Sequence, residues 1–75
     1  MILSTHLKSL RTKMLMSQET FAKEMQVTVC TINRWENGKS KPNITAINKI
    51  KTFCTKNNIS FDEIEQAWIE VSENG

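Results

Sequence analysis

Few side chains in this sequence could carry out a reaction, and their spacing limits what they could do. His6 is the only histidine, and Cys30 and Cys54 are the only cysteines. Their spacing fits no zinc-ligand pattern. Gly38 and Gly75 are the only glycines, so no glycine-rich phosphate loop exists. Asp62, Glu63 and Glu65 open a helical segment, where they suit the positive end of its dipole rather than pairing in a basic pocket. An enzyme is therefore not expected, nor a metal, cofactor or small-molecule ligand. Two cysteines are too few for a disulfide scaffold, and Cys54 falls in an apolar helical stripe. Both read as free thiols of a reducing compartment.

The remaining chemistry is electrostatic. Residues 1–57 carry ten Lys or Arg and three acids, a net +7, whereas residues 58–75 carry five acids and no base, a net −5. The formal total of +2 averages over this division. A basic body with an acidic end suggests a polyanionic partner for the body. The 75 residues allow one domain, read as 1–75, with a modest core. No apolar run is long enough to span a membrane, and the first residues lack the pattern of a signal peptide. A cytoplasmic protein is expected.

The elements that would position these charges are helical. Tyr is absent, Pro42 is the only proline, and apolar and polar residues do not alternate. Five segments repeat at helical spacing. The first runs from Ser4 to about Leu15, with Leu7, Leu10 and Met14 inward and Arg11 beside that stripe. A charge there needs a partner. The second is capped by Ser17 and buries Phe21, Ala22 and Met25. The third is capped by Thr28, turns Ile32 and Trp35 one way and Cys30, Asn33, Arg34 and Asn37 the other, and stops at Asn37-Gly38. The fourth is capped by Asn43 and carries Ile44, Ile47, Ile50, Phe53 and Cys54. The fifth, the acidic helix at about 60–72, is assigned Ser60 as its cap. Ser60 and Glu63 match a capping box, and Ile59 and Ile64 a hydrophobic staple. Its Phe61, Ile64, Trp68 and Val71 either close the core or contribute to a dimer seam, and Ile69 lies off that stripe.

Leu10-Arg11, Ser17-Gln18-Glu19, Phe21-Ala22, Thr28 to Ile32, Arg34-Trp35-Glu36-Asn37-Gly38 and Lys41-Pro42 follow in order. With this series the chain resembles the phage-repressor and Cro-like (XRE-type) helix-turn-helix family, over a core motif at 7–57. The resemblance implies an all-α, five-helix, lambda-repressor-like fold with the motif at the second and third helices. It implies a recognition helix at about 28–37 lying in the major groove of double-stranded DNA. Val29, Cys30, Asn33 and Arg34 would then face bases. Arginine can bond guanine bidentately, asparagine can bond adenine, and valine can touch a thymine methyl. Gln18, Thr28, Asn37, Lys39, Ser40 and Lys41 would meet phosphates, giving affinity without sequence reading. Arg11 and Glu36 would form a partly buried salt bridge pinning the first helix to the end of the third. Many members carry glycine after the first helix and in the turn of the motif. Leu15 and Gln26 stand there, and a positive φ at either is unfavourable.

The expected function is sequence-specific transcriptional regulation, with a bacterial or mobile-element origin by resemblance. The expected target is a near-palindromic operator, bound by a homodimer with half-site centres about 34–36 Å apart. Two alternatives stand beside it. One is a protein-interaction module of the same fold, an antitoxin or anti-regulator engaging a basic partner through the acidic helix. The other is a DNA-bending or excision factor.

Overall fold

Each apolar stripe in the sequence becomes the inner face of a helix. The computed structural model describes residues 2–71, which form helices α1 (Leu3–Lys13), α2 (Gln18–Met25), α3 (Val29–Glu36), α4 (Ile44–Lys56) and α5 (Asp62–Glu70). No strand occurs among the described residues. The architecture is the all-helical, lambda-repressor-like one that the resemblance implies.

One core gathers residues from all five helices: Leu3, Leu7 and Leu10; Phe21, Ala22 and Met25; Ile32 and Trp35; Ala46, Ile47, Ile50, Phe53 and Cys54; Ile64 and Ala67. Phe21 and Phe53 meet edge to face, with ring centroids 5.8 Å apart. This places a positive ring edge on a negative ring face. α3 packs against both α1 and α2, while α5 returns to α1 and α4 supports α2. The short α3 is thereby held from two sides.

Three helices begin under side-chain caps. Ser17 Oγ accepts from Thr20 N, Thr28 Oγ1 from Thr31 N, and Asn43 Oδ1 from Ala46 N. Each cap satisfies one of the backbone donors that a first turn leaves unpaired. Four helices end in the same way, with a left-handed residue just past the last turn: Leu15 (φ 58°), Gln26 (φ 60°), Gly38 (φ 72°) and Asn58 (φ 58°). At each, the following amide reaches back to close the helix: Met16 N to Arg11 O, Val27 N to Ala22 O, Lys39 N to Arg34 O, and Ile59 N to Cys54 O. These are Schellman endings. Met16, Val27 and Ile59 then pack against the core, the apolar contact that commonly accompanies this motif.

The structure corrects four local expectations. α1 starts at Leu3, which is buried, and stops at Lys13, because the chain turns left-handed at Leu15 instead of continuing through it. Ile44 is 62% exposed, and Ala46 takes the inward position near the start of α4. The N-cap of α5 is Phe61, not Ser60, so the Ser60–Glu63 capping box does not form. Ser60 Oγ instead accepts from Asp62 N at 3.4 Å, one position out of register. On α5 the fully buried residues are Ile64 and Ala67, with Phe61, Trp68 and Val71 half-buried beside them. The end of the acidic segment, including position 72 and Glu73, lies outside the described residues.

Candidate nucleic-acid interface

The site is built on α3 and the two segments that brace it. Ile32 and Trp35 bury one side of α3. Val29, Cys30, Asn33, Arg34 and Asn37 are exposed. Cys30 and Arg34, at i and i+4, share one strip of this surface, as do Val29 and Asn33. Asn37 Nδ2 donates to Asn33 Oδ1 and to Asn33 O, each at 3.0 Å, so the two amides form a joined pair along the strip. Thr28, at the start of α3, shares a 2.9 Å hydrogen bond between hydroxyls with Thr31.

Behind this surface, Arg11 and Glu36 form a two-pronged ion pair. Arg11 Nε lies 2.7 Å from Glu36 Oε2, and Nη2 lies 3.0 Å from Oε1. The geometry is the planar fork that guanidinium and carboxylate make best. The pair is largely enclosed, with side chains 13% and 4% exposed. The hydrogen bond to Glu36 holds the Arg11 pKa above its ordinary value, against the opposing effect of burial. The third Arg11 nitrogen, Nη1, donates to the Met16 carbonyl at 2.9 Å. Gln18 Nε2 also donates to Glu36 Oε1, at 3.1 Å. One carboxylate thus ties the end of α3 to α1 and to the first residue of α2. The Gln18 side chain is occupied in bracing α3, while its backbone N–H stays at the helix start, the position that favours an anion.

Beyond Gly38, Lys39 is exposed and Ser40 half-buried. Lys41, which sequence reasoning grouped with them as a phosphate contact, behaves differently. Its ammonium turns to α5 and donates to the carbonyls of Trp68 and Val71, at 3.2 Å each. Sequence reasoning missed this link, as it missed the hydrogen bond from Trp68 Nε1 to Pro42 O at 2.6 Å. One signal was present: α5 carries three acids in its first turn and no base in its last, so its C-terminal end lacks a complementary charge of its own.

The described residues hold no group of three or more His, Cys, Asp or Glu placed to bind a metal. Nor do they include a helix long and apolar enough to cross a membrane. Cys30 is exposed and Cys54 buried, both as free thiols. Burial raises the Cys54 pKa.

Two short helices at a tight turn, the second buried on one side and polar on the other, define a helix-turn-helix. A family model described as helix-turn-helix matches residues 7–54, and the chain belongs to that family, of the phage-repressor and Cro-like type. It is a DNA-binding regulatory family. No curated protein and no solved structure matches the chain.

Proposed function

We propose that this chain is a sequence-specific transcriptional regulator, a single cytoplasmic domain that inserts α3 into the major groove of double-stranded DNA. The observation that carries this reading is the polar outer face of α3, opposite a fully buried Ile32 and braced from behind by the Arg11–Glu36–Gln18 network. A reading helix must be rigid relative to the body that grips the phosphates. Arg34 and Asn33 are the chief base readers, with Val29 and Cys30 making apolar contacts. Gln18 through its backbone N–H, and Thr28, Asn37, Lys39 and Ser40, meet phosphates, and Lys41 leaves that set because α5 engages its ammonium. Two copies bind a near-palindrome. The α5 end, where Ile69 is 60% exposed, is the proposed place of self-association.

The test is a salt titration of binding to random duplex DNA, followed by sequencing of what stays bound. The expected result is an enriched motif whose preference at one position relaxes in Arg34→Ala, at a cost of about 1–3 kcal/mol. Salt-sensitive binding without a motif would indicate an architectural, DNA-bending role instead. Absence of binding at low salt would overturn the reading and leave the acidic face of α5, with a basic protein partner, as its replacement.

A further inference from the structure

Lys41 and Trp68 reach past one another where the loop after α3 meets α5. Trp68 Nε1 donates to Pro42 O at 2.6 Å. In return, Lys41 Nζ donates to Trp68 O and Val71 O and lies 4.6 Å from the centroid of the Trp68 ring. The last carbonyls of a helix lack intrahelical donors and carry the negative end of its dipole. α5 has no base in its own last turn, so a lysine from another segment supplies the charge. Pro42 is fully buried, and Asn43 caps α4 immediately after it. Positions 41–43 are thus anchored, while Lys39 and Ser40 bridge between this anchor and the end of α3 at Gly38.

We infer that Trp68 and Lys41 form a latch through which α5 holds Lys39 and Ser40 in place for phosphate. Trp68 is then a positioning residue for DNA affinity that touches no base. The inference rests on the DNA-binding reading above. It gives the acidic helix a role in affinity that its charge alone would argue against, and it leaves sequence preference to α3.

Trp68→Phe keeps an aromatic ring beneath the Lys41 ammonium and removes only the N–H donor. Lys41→Met keeps the aliphatic stem and removes the ammonium. Each variant is examined by amide hydrogen exchange without DNA, and by binding to duplex DNA across a range of salt. The expected result for Trp68→Phe is faster exchange at Lys39, whose amide donates to Arg34 O, with α2 and α3 amides still protected. Binding weakens about fivefold on every sequence, and the salt slope falls by about 1, with the enriched motif unchanged. Lys41→Met does the same, and the double variant is no weaker than the weaker single one, because the two residues act as a unit. Unchanged exchange at Lys39 overturns the latch. So does a Lys41→Met effect that simply adds to that of Trp68→Phe, since that is how a lysine in direct contact with phosphate behaves. Wild-type protein that binds no duplex at low salt overturns the DNA reading instead, and exchange at Lys39 still decides whether the latch exists.

Discussion

Arg11 joins three elements because a guanidinium presents its donors in a fixed fork. Two prongs take Glu36 and a third takes the Met16 carbonyl. Removing the arginine strands a carboxylate that is only 4% exposed. Arg11→Ala should therefore cost about 3–5 kcal/mol in a urea unfolding experiment. Arg11→Lys should recover less than half of that, since a point charge cannot make the same three contacts. A second prediction concerns Cys54, whose burial disfavours the thiolate and raises its pKa. Its folded-state pKa lies above the unfolded one, so its contribution to stability is complete below the ordinary value of 9.0 and declines as pH rises beyond it. The urea midpoint of the wild type should fall more steeply between pH 8 and 10 (roughly the titration range of a thiol) than that of Cys54→Ala. The Arg11–Glu36 pair was legible in the sequence, since a charge beside an apolar stripe needs a partner and the family resemblance named one. The Lys41–Trp68 link was not, because it depends on how α5 lies against a loop 27 residues earlier, and no local pattern encodes that.

The endings of the helices are uniform in geometry and uneven in residue type. Of the four left-handed positions only Gly38 is a glycine, and Asn58 is the next most tolerant choice. At Leu15 and Gln26 an ordinary side chain occupies the same conformation. Leu15 is 93% exposed, so its side chain recovers almost nothing through packing. Leu15→Gly and Gln26→Gly should each raise stability by up to about 1 kcal/mol, the left-handed strain released less the extra freedom of glycine in the unfolded chain. Gly38→Ala should lower it by about the same amount. An added Cβ there would lie 3.9 Å from Ser4 Oγ, an ordinary contact, so φ alone sets the cost. Thermal or urea unfolding of the three variants checks all of this. The caps of α2, α3 and α4 were readable from Ser17, Thr28 and Asn43 because capping is local chemistry. At α5 the same reasoning named Ser60 and missed by one residue, since Phe61, half-buried against the core, fixes where the turn begins.

At the scale of the molecule, the chain separates its charge. The basic residues lie on the four helices and loops that include the α3 surface, while every charged residue of α5 is acidic. The whole described body extends only 28 × 25 × 21 Å. At low ionic strength the Debye length is comparable to those dimensions, about 30 Å at 0.01 M, so the acids of α5 lie within reach of any polyanion held at α3. Asp62→Asn combined with Glu65→Gln should strengthen low-salt binding to duplexes of any sequence. The gain should vanish toward 1 M salt, where the Debye length is about 3 Å, and the enriched motif should not change. Equal binding by variant and wild type at low salt would show that α5 contributes no field at the interface.

The division of α3 into a buried side and an exposed side bears on how such a protein can be retargeted. Ile32 and Trp35 tie the helix to the core, and Val29, Cys30, Asn33 and Arg34 have no place in it. Exchanging one of those exposed residues should alter stability by no more than about 0.5 kcal/mol. If those residues read DNA as proposed, lineages of this chain could wander from one binding sequence to another by single substitutions, every intermediate remaining folded while its target changes.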